Sequence, residues 1–567
     1  MSTLEGGLAL AFGLGFVAYV IFKRYELNDL LSLSVLLGLL PAIPAAVLRP
    51  ALQSTAHSVL LSYAVHFSTL LASLVAYRLS PWHPLAKHPG PLPCKLSKLW
   101  LVYVTSRGKL HEYFRQLHET YGPVVRVGPN ELSVIDVELL PSILGANGMH
   151  KGPLWEGRRN EGRKGTQSVR GTLIESRNRT HHAEARRIWN RVFTTQAVKG
   201  YEPIAMELAS MLVDGIRREC ERDGGTAQTD MARWLSFFSF DFMGDFAFGA
   251  PFDLLRDGDK HGLWQLLEDE LYLPALTQHI PWFAPVLLYI PWAVTEMLAL
   301  GQFASKQIAK RLKDGPVHND LFYHLLDEGK QHNDSEPPPI IPSNAAMLAV
   351  VAGSDTTATA LSNTLYFLLA NPECYARLQE EIDANFPPGK GDPVDCAKLA
   401  QMEYLNAVIN ESLRLLPSIL TCLQRAPEPG SGGHILGSGD FIPEGTAVYV
   451  PPYVLHHHPS YFSPKPDTFW PERWLVSSSE TKADFVLEQR AYIPFSTGPA
   501  NCAGRPVALM ELRMVLASVL QAFRLEFAKG YDAKRWEEDM QDLFLAQKGA
   551  LPVMVTVRAV PGEMMRE

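Results

Sequence analysis

Cysteine pairing is missing from this chain. Its six cysteines, Cys94, Cys220, Cys374, Cys396, Cys422 and Cys502, form no CxxC pair and keep no regular interval. That excludes a disulfide framework and a cysteine zinc site, and it fits a reducing compartment. Positive charge is not in excess either. The 52 Lys and Arg stand against 60 Asp and Glu, a formal net charge of -8, so no overall basic field gathers phosphates and nucleic acid is not an expected partner. No glycine fingerprint follows a strand, so no flavin or nicotinamide site is expected. No internal repeat recurs, and the one low-complexity tract, Pro337-Pro338-Pro339, reads as a surface loop. What is present is ordinary for a folded protein: 47% hydrophobic and 20% charged residues in 567, enough for a large core and incompatible with disorder.

The N-terminus is different. Residues 6–22, GGLALAFGLGFVAYVIF, carry no charge and are followed at once by Lys23 and Arg24. A secretory signal has its positive charges before the apolar run, so this order predicts an uncleaved anchor with Lys23 and Arg24 on the cytoplasmic side. Two further apolar stretches, Leu30 to Leu48 and Ser58 to Tyr77, are each long enough to span. Pro41 and Pro44 in the first, and His66 in the second, leave re-entrant or interfacial helices as the alternative. One or three spans place the rest of the chain in the cytoplasm, two in the lumen. The acceptor patterns Asn178-Arg179-Thr180 and Asn410-Glu411-Ser412 would stay unglycosylated in the cytoplasmic arrangement.

Residues 1–80 are therefore expected to form a membrane anchor of one to three helices, residues 81–94 a stiff proline-rich linker, and residues 95–567 the catalytic domain. Past residue 95 the periodicity predicts a mainly α fold with small β-sheets. Helices are expected over 182–192, 203–222, 229–247, 344–370, 373–384, 402–416 and 504–522, and short strands over 124–127 and 446–450.

Chemistry concentrates in four motifs. Phe495-Ser496-Thr497-Gly498-Pro499-Ala500-Asn501-Cys502-Ala503-Gly504 runs into an apolar helix. A loop ending at a helix N-terminus offers the positive dipole end and free N–H donors that a thiolate ligand needs. Gly498 and Gly504 let the backbone turn tightly and approach a flat macrocycle. Glu411 and Arg414 share one helix face; alone they would read as a surface ion pair, but Phe469-Trp470-Pro471-Glu472-Arg473-Trp474 supplies a second arginine, and a Glu with two Arg would clamp that coil. In Ala352-Gly353-Ser354-Asp355-Thr356-Thr357 the serine and aspartate suit a helix N-cap, yet apolar spacing continues on both sides. One helix is favoured, with Thr356 bonding back to the Ala352 carbonyl and Gly353 locally opening a groove. His456-His457-His458 point in different directions and read as surface rather than as a metal site.

These elements, in this order, resemble the cytochrome P450 family: A-G-x-D/E-T-T, E-x-x-R, P-E-R-F/W and F-x-x-G-x-R-x-C-x-G, over roughly residues 85–560. The proline-rich linker and the multi-span leader look similar to fungal microsomal members of secondary metabolism, such as tryprostatin hydroxylases. The resemblance implies that family's fold, haem b (iron protoporphyrin IX), and insertion of one atom of dioxygen into an organic substrate. By the same resemblance Cys502 is the iron ligand, with Phe495, Gly498 and Gly504 around it. Thr356 and Asp355 are the alcohol and acid that relay protons. Glu411, Arg414 and Arg473 are the structural triad. His182 and Arg186 stand where the family's W-x-x-x-R bonds a propionate, and Arg425 faces the other. Ala500 departs from the family's Arg or His two residues before the cysteine, and the other donors are expected to cover for it.

The implied partners are a membrane-bound NADPH-cytochrome P450 reductase, cytochrome b5, membrane lipid and a lipophilic substrate such as a terpenoid or alkaloid, with the chain in the endoplasmic reticulum membrane. Leu348, Ala352 and residues 418–421 are expected to line the pocket. Trp264, Trp282, Phe283, Tyr289 and Trp292 are expected to roof it. Two alternatives remain: a haem-thiolate isomerase or dehydratase needing no reductase, and a membrane haem-binding protein without turnover.

Overall fold

The structure, a computed structural model, describes residues 3–25, 27, 29–158, 172–260, 262–287, 289–324, 342–476 and 485–559. The Pro337 to Pro339 run lies outside them. Three N-terminal helices, α1 (Thr3–Arg24), α2 (Leu30–Leu52) and α3 (Thr55–Leu79), are each long and apolar enough to cross a membrane. The features that argued against spanning face inward. The helix continues through Pro41 and Pro44 by way of a π-turn at Val35–Leu39. α3 covers that irregular stretch: Ser62 Oγ donates to the Pro41 carbonyl and the Tyr63 hydroxyl to the Gly38 carbonyl, both at 2.6 Å. Irregular helix at membrane depth survives where a neighbour supplies such donors. His66 is fully buried, its backbone packed where α1 carries Gly15.

The proline-rich segment is not a free spacer. Leu85 and Cys94 belong to the core of the globular part, and Leu92–Leu96 is a short helix with proline in its first turn, where proline is tolerated. Arg126, 1% exposed, ties the segment down. Its backbone N–H donates to the Pro89 carbonyl (2.7 Å), and its guanidinium to the carbonyls of Pro129 (2.8 Å) and of Arg78 at the end of α3 (3.2 Å).

The globular part is mainly helical. Its principal helices are α4 (Arg179–Val192), α5 (Thr195–Arg222), α6 (Met231–Phe248), α7 (Pro342–Ala370), α8 (Glu403–Leu415) and α9 (Arg505–Ala522). Each coincides with a predicted helix to within a few residues, except that α5 starts eight residues early, capped by Thr194 and running through Pro203. α6 is apolar around most of its circumference, with Phe238, Phe240, Phe242 and Phe246 all buried, as befits a helix surrounded by others. It lies against α7, and a Cβ at Gly353 would overlap Met243 of α6. The glycine thus serves close packing; α7 runs unbroken, without the expected local opening.

A five-stranded sheet flanks the helices: β1 (Val124–Gly128), β2 (Glu131–Val134), β3 (His150–Lys151), β4 (Gln424–Ala426) and β5 (Ala447–Tyr449), in the order β1-β2-β5-β4-β3, with only β2 and β5 parallel. Its outer pairing sets Lys151 directly opposite Arg425.

Two expectations need correction. His456 and His457 are buried rather than on the surface. His456 Nδ1 faces the Arg414 carbonyl (3.0 Å), and its Nε2 accepts the Ile493 N–H (2.9 Å); burial first, then His457 and the Arg414 charge, hold it neutral, well below the usual histidine range, against the opposing pull of the Arg414 carbonyl. Asn410, inside α8, accepts a bond from the Tyr492 hydroxyl (3.2 Å). Only Asn178, exposed at the N-terminus of α4, therefore remains as a topology reporter.

Candidate active site

A cavity of ≈ 370 Å³ lies between α4, α6, α7, the N-terminus of α9 and the turn of the hairpin Gln541–Gln547. Cys502, His182, Arg186, Arg425, Phe495, Gly504 and Thr356 all line it. Gly498 and Asp355 do not.

The cysteine loop is shaped by its own backbone. Ser496 and Gly498 take positive φ (57° and 74°), and a Cβ at Gly498 would overlap the Leu144 carbonyl, so only glycine fits. The Cys502 N–H donates to the Phe495 carbonyl (2.9 Å), closing the turn. Gly504 caps α9 with negative φ, and a Cβ there would meet nothing closer than Phe193 at 3.8 Å. Its bareness leaves space on the cavity side rather than relieving a clash. The Cys502 thiol owes its accessible surface to the cavity it faces. Burial raises its pKa, opposed by the N–H groups of Gly504 and Arg505 and by the charge of Arg186.

One wall of the cavity is cationic. Lys151, Arg186, Arg425 and His182 converge, and each of the first three helps to suppress the protonation of His182. Burial, then Arg425 and Arg186, hold Lys151 well below the usual lysine range, and burial brings Arg425 down to about 10. His182 falls to about 4, first by burial and then by these neighbours, and is neutral at physiological pH. The wall's hydrogen bonds go to uncharged oxygens: Lys151 Nζ donates to the carbonyls of Leu173 (2.7 Å) and Ile174 (2.9 Å), and Arg186 to Asn501 Oδ1 (2.7 Å). Like charges placed opposite each other on paired strands repel. A cluster of this kind, with Glu175 beside Lys151 but no carboxylate bonded to it among the described residues, matches a ligand carrying anionic groups.

Behind the cysteine loop the opposite holds. Glu411, Arg414 and Arg473 are fully buried together. Arg414 grips Glu411 with two bonds (2.9 and 2.8 Å), Arg473 Nε stands at 3.5 Å, and Trp474 Nε1 (3.0 Å) and the Trp470 N–H (3.1 Å) complete the carboxylate's set. The arginines also reach the carbonyls of His456, Pro464 and Lys465 at 2.7 to 2.9 Å. The coil bearing the P-E-R-W sequence is thereby fixed to α8.

On α7, Thr356 Oγ1 donates to the Ala352 carbonyl (2.7 Å), leaving the oxygen's lone pairs for the cavity. Asp355 turns away, 5% exposed, with Oδ1 3.4 Å from Lys548 Nζ. Leu348, Ala352, Ser418 and Ile419 line the cavity as expected; Leu420 and Thr421 do not. None of the five expected roof aromatics lines it. Tyr289 and Trp292 point outward, 77% and 68% exposed.

Sequence reasoning missed three charged residues here: Lys151, Arg158 and the buried carboxyl Glu511, which burial keeps well above the usual carboxylate range. Lys151 announces itself only through the β3–β4 register. A thiol at a helix N-terminus, an open glycine beside it and an unmatched cationic wall together suit an iron porphyrin with two propionates.

Comparison with known proteins gives the same picture. The family profile described as cytochrome P450 matches residues 87–553. The chain is 32% identical over 492 residues to cytochrome P450 monooxygenase FCK2 of Fusarium pseudograminearum, covering 86% of this chain and 85% of that one. It is 31% identical over 498 residues to cytochrome P450 monooxygenase notG' of Aspergillus versicolor, covering 87% and 86%. It is 31% identical over 497 residues to tryprostatin B 6-hydroxylase of Neosartorya fischeri, covering 86% and 85%.

Proposed function

This chain belongs to the cytochrome P450 family and is a monooxygenase of that family, and from that premise we propose that it inserts one oxygen atom of dioxygen into a lipophilic secondary metabolite of terpenoid or alkaloid type. The relatives that include a tryprostatin B hydroxylase support the substrate class. The proposed electron source is NADPH, through a membrane-bound cytochrome P450 reductase with cytochrome b5 assisting. The proposed location is the endoplasmic reticulum membrane, with three spans and the catalytic unit in the cytoplasm.

The observation that carries this reading is the convergence of the Cys502 sulfur, the Thr356 hydroxyl and the cationic wall on one cavity. The cofactor that fits is haem b, whose iron the Cys502 sulfur would hold and whose carboxylates Lys151, Arg186, Arg425 and His182 would meet, with Phe495 and Gly504 leaving room for it. Bound there, it supplies dioxygen activation, favoured by electron donation from a thiolate.

The chain's own residues do the rest. The N–H groups at the start of α9 steady negative charge on the sulfur. The Thr356 hydroxyl, anchored to the Ala352 carbonyl, presents oxygen lone pairs to the cavity and can receive and pass a proton. Asp355, one residue before it and turned away toward Lys548, would take up a proton from that ammonium or from water and pass it on toward Thr356. The apolar side chains of α6 and α7 exclude water and shape the substrate's seat. Glu411, Arg414 and Arg473 hold the coil behind the cysteine loop. Arg186 and Arg425 cover the propionates despite Ala500.

The test is the reduced, carbon monoxide-bound difference spectrum of the native protein beside Cys502→Ser. A thiolate-type Soret band present in the first and absent in the second is expected; identical spectra would overturn the reading. Dependence of turnover on NADPH and reductase then separates oxygen insertion from isomerisation.

A further inference from the structure

The cavity holds one more cation. Arg158, from the turn that follows Pro153–Gly157, lines it apart from the wall described above. Its electrostatic neighbours are Cys422, Glu175 and Glu270 rather than Lys151, Arg186 or Arg425. Around it are Trp155, Leu271, Phe544 and Leu545, a side of the cavity otherwise apolar.

The guanidinium is held in place without being neutralised. Nη1 donates to Gln278 Oε1 (3.1 Å), and the group lies 4.4 Å from the centre of the Phe544 ring. Both supports are themselves fixed. Gln278, 2% exposed, directs its amide nitrogen to Cys422 Sγ (3.9 Å) and stands 3.3 Å from His279, which meets Thr105 Oγ1 at 2.9 Å. Phe544 packs edge-on against Trp155, ring centres 5.0 Å apart.

No ion pair of Arg158 occurs among the described residues. Asp542, the buried carboxyl beside the hairpin turn, instead accepts a bond from Thr421 Oγ1 at 2.6 Å. Burial lowers the Arg158 pKa to about 10, which still leaves it charged at neutral pH. A guanidinium walled into the cavity with, among the described residues, one neutral acceptor and four N–H bonds to spare is costly in the free protein. It matches a planar, two-oxygen anion.

We propose that Arg158 is a substrate-recognition residue, and that the substrates of this cavity are lipophilic carboxylic acids whose carboxylate pairs with the Arg158 guanidinium while the apolar body lies against Phe544 and Leu271. This rests on the monooxygenase reading above and narrows its substrate class. Arg158 sets which molecules enter and how they lie; it takes no part in bond cleavage.

The test uses ferric holoenzyme and two matched probes, decanoic acid and 1-decanol, titrated by the shift of the Soret band. The acid is expected to bind about tenfold or more tightly than the alcohol, as a charge-assisted pair implies. Arg158→Met removes that preference while leaving alcohol binding nearly unchanged, and Arg158→Lys restores part of it. Equal affinities in the native protein, or a preference that survives in Arg158→Met, overturns the proposal. The carbon monoxide spectrum of each variant reports the haem-thiolate centre independently, so failure of the monooxygenase reading shows there and not in the probe ratio.

Discussion

Glu411 sits between two arginines, and its carboxylate is fully bonded, two indole-bearing residues included. Along the cavity, Lys151, Arg186, Arg425 and Arg158 are as well positioned, but among the described residues they bond carbonyls, amides and a ring rather than carboxylates. Both regions are buried and rich in arginine. In the first the protein supplies a carboxylate that its two arginines share, and so builds itself; in the second, no carboxylate bonds the cations among the described residues, and a ligand can supply one. A buried charge without its counterpart marks a ligand more reliably than a buried pair does.

The sharpest way to break this contrast is to remove the anion from the matched set. Glu411→Ala strands two buried guanidinium groups and is expected to cost about 3–5 kcal/mol, seen as loss of soluble, haem-loaded protein. A variant that kept native thermal stability would show the clamp to be dispensable. Removing an unmatched cation should do the reverse to the haem-free protein. Arg425→Met relieves repulsion across the β3–β4 pair and should raise haem-free stability by about 0.2–1 kcal/mol while haem dissociates faster. Lower haem-free stability would place Arg425 among the structural arginines.

Acid sharpens the comparison by adding cations where none are matched. His111, His279 and His457 are pushed down to about 3 and His118 to about 4, chiefly by burial. Their folded pKa values lie below the ordinary 6.5, so the unfolded chain takes up protons first. The stability they contribute is complete above pH 6.5 and is lost as pH falls through about 4 for His118 and about 3 for the other three, at up to about 1.4 kcal/mol per pH unit for each group. The expected observation is a Tm that falls steadily over that window, and a flat profile would contradict the neutral histidine core. The smallest effect belongs to Ala500→Arg. With Lys151, Arg186 and Arg425 already on the cavity wall, haem retention should change by less than about 1 kcal/mol, measured by haem transfer to an acceptor protein; a large gain would mean that the wall does not serve the propionates.

Much of this was legible from local pattern. The helix periods placed α6, α7 and α9, and four short motifs placed Cys502, Thr356 and the Glu411 clamp. What escaped was set by pairing across the chain. Lys151 enters the cavity because β3 aligns with β4, 270-odd positions downstream in the same sheet. Arg158 does so because Gln278 and Phe544, each far away in sequence, converge on it. His456 and His457 were misread for the same reason: their neighbours Arg414 and Ile493 lie on other elements. Gly353 looked like a place for distortion, yet its reason is Met243 on the opposing helix.

Arg126 carries a last implication. It grips the Arg78 carbonyl at the base of α3 with one arm and the Pro129 turn with another, so the neck between leader and globular part is braced at two points. A tilt that the leader takes among lipids is then expected to carry over in part to the chamber behind it.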